Sequence, residues 1–464
     1  MELKYPSVGP IVGQCSSKLS RIFIRGELEW YNHLPRRAHG VVRIKNKSSN
    51  SQYSSPIYFK LNPNFDMTGI AILEGLDADT NYEYEIGWIF SDVDTEIINV
   101  DQSLDWKNSA KGSFRTASED PQQSRSIITG SCRYLLKLFG GKFFDDRGDK
   151  IFRTIDQLFH DRNLPIHQLI MMGDQIYADD LNRLGADKTV DDYLERYKDA
   201  FTQKYIRHLM SKVPTYMTLD DHEIEDNWPA NAKSKDLVSK FPAAIHAYQI
   251  YQSSHSPCIP VVDGKLQGTL EKLWYNYSDG CVDIFVMDTR TERQLNAKKI
   301  ISTAQMTALK KWLADGSSSV KVIVSSVPVF GSESHDKWGG FPEQRADLIN
   351  FIFDHNIPRV VFLSGDLHVS WSSEITLKNN SASKIVSIVA SAFFWPYPVG
   401  SIKNLEHSKT IKWSDKKEIV IGNASKICKE DNFVHLDFSL SRVLVSIYNR
   451  KGELFSQKNH QFLN

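Results

Sequence analysis

Polar and apolar positions follow two different rhythms along this chain. Up to about residue 118 the period is two: Tyr82, Tyr84, Ile86 and Trp88 alternate with Asn81, Glu83, Glu85 and Gly87. Such alternation gives a strand one face for a core and one for water. Short runs at 21–25, 41–44, 57–61 and 69–73 read the same way, with turn residues between them. Regular short strands with polar punctuation predict an all-β sandwich domain over residues 1–118. The polar stretch 117–125, which contains Pro121, reads as a linker.

Beyond it, residues 126–464 mix strands with helices and predict an α/β domain. Apolar residues recur at three- and four-residue steps in 149–162 (Ile151, Ile155, Leu158, Phe159), 191–210 (Leu194, Tyr197, Phe201, Tyr205, Leu209), 303–314 and 342–355, the spacing of amphipathic helices. Between them lie short apolar runs that stop abruptly at reactive residues. Ile127 and Ile128 lead to Cys132, and 169–172 leads to Asp174. The run 216–219 leads to Asp220, Asp221 and His222, 284–287 to Asp288 and Arg290, and 360–363 to Asp366 and His368. Ligand sites in layered α/β folds gather where strands end, so these endings together predict one site. In the first domain, Leu73 to Tyr82 resembles the strand-turn-strand corner of fibronectin type III-like domains.

Composition narrows the class. The length of 464 residues allows two or three domains and a large core. Lys+Arg and Asp+Glu are both 56, so no general electrostatic pull acts toward nucleic acid or an anionic membrane. No apolar run approaches the ~18 residues of a membrane span. The first fifteen residues lack a basic stretch followed by an apolar one, so no export signal is expected and the chain is read as cytoplasmic, with an exported mature form as the alternative. Five scattered cysteines, at 15, 132, 258, 281 and 428, disfavour a disulfide framework.

The residues at the strand ends suggest metal chemistry. In Gly173-Asp174-Gln175-Ile176-Tyr177 the Gly permits a sharp turn, the carboxylate can bridge two cations, and a phenolate suits a hard ion such as ferric iron. The bland account is a polar turn with a packed Tyr. Asp220, Asp221, His222, Glu223, Glu225 and Asp226 crowd acids that are costly to place together without a cation. A helix cap explains only one Asp and Glu223. Asp366 and His368, two apart, can point the same way. Cys132 has Arg133 beside it, which would favour thiolate and could hold a phosphate oxygen. Arg290 and Arg293 either contact substrate or pair with Asp288 and Glu292. Lys337 and Trp338, followed by Gly339 and Gly340, read as a mobile lip. His33, His39 and His460 read as exposed.

The ordered segments GSCRY, MMGDQIYADD, DDHEIEDNWP, MDTRTER, DKWGGFP and FLSGDLHVSW resemble the PhoD-like alkaline phosphatase/phosphodiesterase family of the calcineurin-like metallophosphoesterases, over about residues 126–445. The resemblance implies a four-layer α/β/β/α sandwich with a two-metal centre, and the β domain matches the family's usual N-terminal module. It implies that Asp174 bridges the metals and that Tyr177 is a ligand. Asp221 takes a metal-ligand position and His222 that of the catalytic acid. Asp366 replaces a second-site His, His368 stays with the first metal, and Cys132 stands where an opening Asp-x-His is missing. Cys132, Asp174, Tyr177 and His368 then suit Fe(III). Asp174, Asp221 and Asp366 suit Ca²⁺, or another divalent ion such as Mg²⁺ or Mn²⁺. Asn227 or Asp226 is available for a third ion, and Asn227 and Arg293 are candidate substrate contacts. A further second-site His has no clear counterpart; His246, His255 and His335 are candidates by composition.

The function implied is hydrolysis of phosphate mono- and/or diesters, with a metal-bound hydroxide attacking phosphorus, Arg133 assisting and His222 protonating the leaving alkoxide. Two rivals stand beside it. One is a non-catalytic, metal-containing module that binds anions. The other is a metal-independent hydrolase with Cys132 as nucleophile.

Overall fold

The computed structural model describes every residue except 49–51, 92–102, 139–142, 180–184, 332–333, 400–404, 413–416 and 463–464. Two sheets build the N-terminal region. Val8–Cys15, Leu19–Arg25 and Thr68–Glu74 form one, and Ile57–Leu61, Ala38–Asn46, Asn81–Phe90 and Ala110–Arg115 the other. The alternation over Asn81–Phe90 turns Tyr82, Tyr84, Ile86 and Trp88 into a core shared with Val12, Ile22, Ile24 and Leu73. Val8–Cys15, which carries no period of two, is an additional strand. It is buried on both faces because Val8, Ile11 and Phe23 join the apolar layer of the helices that follow.

The rest is a stack of four layers. A six-stranded sheet runs Thr215–Thr218, Gln168–Met172, Arg125–Gly130, Asn432–Ser439, Arg442–Asn449, Leu454–Gln461. An eight-stranded sheet runs Tyr275–Asp279, Val282–Val286, Val320–Ser325, Val360–Ser364, Asn380–Val389, Trp371–Leu377, Glu418–Gly422, Lys409–Lys412. Ile127, Ile170, Ile284, Val322, Val361, Leu436 and Val445 interdigitate between the sheets. The central strands read as near-continuous apolar runs because both their faces are covered. Helices Arg147–Asp161, Val190–Phe201, Lys204–Met210 and Lys240–Tyr251 cover the six-stranded sheet. Thr303–Leu313 and Pro342–Asp354 cover the eight-stranded one. The helix expected over 191–210 is two helices, broken at Thr202 and Gln203.

The stretch read as a linker is pinned to the eight-stranded sheet. The Ser118 amide donates to Asp279 Oδ1 at 2.9 Å, and the amides of Gly280 and Cys281 donate to the carbonyls of Ser118 and Gln123. The seam between the N-terminal sheets and the helices is polar as well as apolar. Arg21 donates to the carbonyls of Ser256 and Ile259, both at 2.6 Å. Arg207 donates to those of Gly9 and Pro6, also at 2.6 Å. His33 is exposed as expected, but His39 and His460 are buried. His460 sits between Ser372 Oγ and Glu374 Oε1, at 2.9 Å from each. Among the described residues no helix is long and apolar enough to cross a membrane.

Candidate metal centre

The parallel strands of both sheets end at one edge of the sandwich, and the reactive residues follow those ends. Sharp turns place them. Cys132, Asp174, Asn227, Asp366 and His368 all have positive φ, between 55° and 70°, a conformation costly for non-glycine residues and concentrated at functional sites. Two glycines allow the turns to close in. A Cβ at Gly173, itself at φ +94°, would lie 2.4 Å from the Asp220 Cβ, and one at Gly365 would lie 2.4 Å from Ser131 Oγ.

On one side of the centre Cys132, Asp174 and Tyr177 converge. Cys132 Sγ and the Tyr177 hydroxyl approach Asp174 Oδ2 at 3.3 and 3.4 Å. Ser131 and Ser391 hydroxyls flank the sulfur at 3.2 and 3.1 Å. Asp174 Oδ1 is buried with no hydrogen-bond partner. Among the described residues no Lys or Arg pairs with this set. Burial, with Asp174 and Asp366 nearby, pushes the Cys132 thiol well above its ordinary pKa. Burial and then Cys132 do the same to Tyr177, and burial does so to Asp174. A cation facing these atoms would reverse that, since a coordinating thiol is deprotonated outright. The donor set, a thiol, a phenol and a carboxyl with one orphaned oxygen, therefore fits a metal ion.

Cys132 makes a poor nucleophile here: it is fully buried and its thiol is held neutral. Arg133 corrects the expectation made for it. Its guanidinium turns away to the carbonyl of Ala200 at 2.9 Å and to Asp149 at 3.7 Å. It is enclosed there, so it neither activates the thiol nor meets a substrate.

His222 lies between the two sides. Its ring packs on Tyr177 at 4.3 Å, and Nδ1 is 2.8 Å from Asp179 Oδ2. Burial opposes its charge, yet Asp221, Asp174 and Asp179 hold its pKa well above the ordinary value. Asp179 went unnoticed in the sequence, although it lies only two residues beyond Tyr177. His368 N donates to Ser391 Oγ at 3.1 Å, which links its loop to Cys132. Its ring stacks on Trp395 at 3.7 Å, and burial, with His222 and Lys337 nearby, keeps it neutral, at about 3. A neutral imidazole is the ligand form.

Glu223 fastens the loops together. It accepts from the amides of Asp174, Gln175 and Asp220 at 3.1, 2.7 and 2.9 Å. Burial raises its pKa to about 8 against these bonds.

The other side holds Asp220, Asp221, Asp336 and Asp366. Arg290 is fully buried among them: Nε lies 2.5 Å from Asp220, Nη2 3.3 Å from Asp221, Nη1 2.6 Å from Asp336, and Nη2 3.8 Å from Asp366. Arg293 pairs with Asp336 at 2.7 Å and donates to the Thr289 carbonyl. Both arginines thus pair inside the fold, though not with Asp288 and Glu292 as the neighbouring sequence suggested, and Arg293 is buried. Lys337 ion-pairs with Asp366 and lies 2.8 Å from Asp336. Trp338 donates to Ser325 Oγ at 3.2 Å. Neither is a lip; both are buried. The Asn227 amide donates to Asp221 Oδ2 at 2.6 Å, which leaves its half-exposed side chain at the rim, bonded to Asp226. Asp174, Asp221 and His222, and likewise Asp220, Asp221 and Asp366, bring ligand atoms within 4.8 Å of one another. Of the extra histidine candidates, His255 bonds the Tyr251 carbonyl and His246 packs on Phe65.

A four-layer sandwich with acids, histidine and thiol gathered at its strand ends defines a metallophosphoesterase fold. The family model described as PhoD-like phosphatase matches residues 141–437. This chain belongs to that family. It is 28% identical over 229 residues to alkaline phosphatase D of Bacillus subtilis (strain 168), a match covering 42% of this chain and 38% of that protein. A solved structure of PhoD superposes with a TM-score of 0.70 at 16% identity, covering 98% of this chain and 89% of that one. Purple acid phosphatase PPD1 from yellow lupin gives 0.60 at 14% identity, covering 97% and 73%. At these identities the two superpositions establish the fold.

Proposed function

We propose that this protein hydrolyses phosphate esters with the help of a bound cation. The observation that carries the reading is the buried Cys132–Asp174–Tyr177 set, which among the described residues faces no Lys or Arg and stands beside His222, whose pKa the surrounding acids hold well above its ordinary value. A cation held there by these three residues, with His368, would supply Lewis acidity and neutralise charge on the phosphoryl oxygens. Thiolate and phenolate ligation favours Fe(III). An oxygen-only set of Asp174, Asp221 and Asp366 is the place for Ca²⁺ in the same scheme.

His222 is the proton donor. The Asp179 carboxylate accepts the Nδ1–H hydrogen bond and fixes the ring, leaving Nε2–H for the oxygen of the departing alcohol. As water adds to phosphorus and the P–O ester bond breaks, that proton passes to the alkoxide, which would otherwise leave poorly. A protein that only binds anions has no need of such a donor. Asn227, whose half-exposed side chain lies at the rim, is the candidate substrate contact in this reading. Residues 1–118 and 126–464 are taken as separate domains, because the N-terminal sheets enclose a core of their own.

The test is hydrolysis of p-nitrophenyl and bis-p-nitrophenyl phosphate before and after exhaustive chelation. Activity should vanish with the metal and return when it is restored. Full activity in protein shown to be metal-free would end this reading and would favour a metal-independent hydrolase.

A further inference from the structure

The Asp220–Asp221–Asp336–Asp366 side is already balanced by the chain's own cations. Arg290, Arg293 and Lys337 face its four carboxylates, and each carboxylate touches at least one of them. Asp174 apart, a divalent ion added here would leave five positive charges against four negative, and buried excess charge is costly. Most of the ligand atoms also face these cations or accept hydrogen bonds. Asp221 Oδ1 faces Arg290, and Oδ2 accepts from the Asn227 amide at 2.6 Å. Asp366 Oδ1 faces Arg290 and Oδ2 faces Lys337, in ion pairs rather than aligned hydrogen bonds. Asp220 Oδ1 accepts from Arg290 and from Ser326 at 2.9 Å. Its Oδ2, like Asp221 Oδ1 and Asp366 Oδ2, accepts no hydrogen bond, and three such oxygens fall well short of the roughly six to eight that Ca²⁺ takes.

We propose that the Lys337 ammonium stands in the place of the second metal ion, so that this chain holds its metal only on the Cys132–Asp174–Tyr177 side. This rests on the metalloenzyme reading above and revises its second ion. Lys337 is suited to the role. It follows Asp336 directly, its stem is enclosed, and its charge meets Asp366 and Asp336 together. A lysine is a compact point charge with rotatable donors, able to face two carboxylates as a small cation would. Arg290 stays beside it as the fixed counter-charge for Asp220 and Asp221.

The experiment is equilibrium dialysis of the full-length iron-loaded protein against excess Ca²⁺ or Mg²⁺, with elemental analysis per chain and thermal melting. The wild-type chain should keep a single ion and melt at a temperature indifferent to Ca²⁺. Lys337→Met should take up one further divalent ion, and its melting temperature should rise with Ca²⁺ concentration as ligand linkage requires. Adding Asp366→Asn to that variant should abolish the uptake. A wild-type chain that takes up stoichiometric Ca²⁺, lost in Asp366→Asn, overturns the inference alone and leaves the hydrolase reading intact. So does a folded Lys337→Met that gains no ion. Should Lys337→Met fail to fold, the wild-type dialysis with Asp366→Asn decides. A wild-type chain that binds no ion under any loading overturns both.

Discussion

One side of the metal centre carries a single carboxylate, Asp174, and the other carries four, and the two differ as much in what faces them. Around Asp174 the neighbours are a thiol, a phenol and two serines, and an oxygen is left without a partner. Around Asp220, Asp221 and Asp366 the neighbours are Arg290 and Lys337. The first arrangement is incomplete by itself and calls for an ion from solution. The second is a network of buried ion pairs in which every carboxylate already faces a cation of the chain, although some of its oxygens accept no hydrogen bond. Acid density alone therefore does not mark a metal site; the counter-charges decide.

The largest expected effect falls on the ion-paired side. Arg290→Met leaves Asp220 and Asp336 buried without their main partner, and breaking a buried pair costs about 3–5 kcal/mol. Denaturant unfolding should show that loss with metal content on the other side unaltered. Stability unchanged within error would mean that the network is not closed.

Next comes the contrast between the two histidines. His222→Ala should lower kcat roughly 10²–10⁴-fold for esters with poor leaving groups and much less for p-nitrophenyl esters, with metal content near normal. His368→Ala should lower metal occupancy and hurt all substrates alike. Equal losses across a leaving-group series in His222→Ala, with metal lost, would reverse the assignment of roles.

A smaller effect comes from outside both sides. His255 is wedged against Gly13 and Phe23 at the seam, and burial takes its pKa from 6.5 down to about 4. The folded state thus binds fewer protons than the unfolded one between those values. Stability is full above about pH 6.5 and falls as pH drops toward 4, by up to about 3 kcal/mol for this residue at 1.36 kcal/mol per pKa unit. His255→Gln should flatten that part of the pH–stability curve in metal-loaded and metal-free protein alike. A slope that disappears only when metal is removed would trace it to the centre instead.

The smallest change is spectroscopic. Iron on the incomplete side should give a visible charge-transfer band, and Tyr177→Phe should shift or weaken it while Lys337→Met leaves it in place. An iron-loaded protein without such a band would remove thiolate and phenolate from the ligand set.

Local pattern determined a good deal. Alternation at Asn81–Phe90 and the apolar runs ending in Gly-Asp depend on neighbours a few residues apart, so strands, turns and the residues presented at their ends were legible. So was the meeting of Cys132 and Asp174, because parallel strands in one sheet finish at one edge; their grouping with Tyr177 came from the family resemblance. Tertiary structure decided the rest. Arg133, next to Cys132 in sequence, points the other way, since successive side chains past a strand end need not share a face. Val8–Cys15 is buried on both sides by elements that come later in the chain, and no alternation announces that. Arg290 meets Asp220 and Asp336, 70 and 46 residues away, rather than the acids beside it. Lys337 meets Asp366 across the same pocket. Which charges cancel is set by distances through space, and those exist only once both sheets have closed on the core.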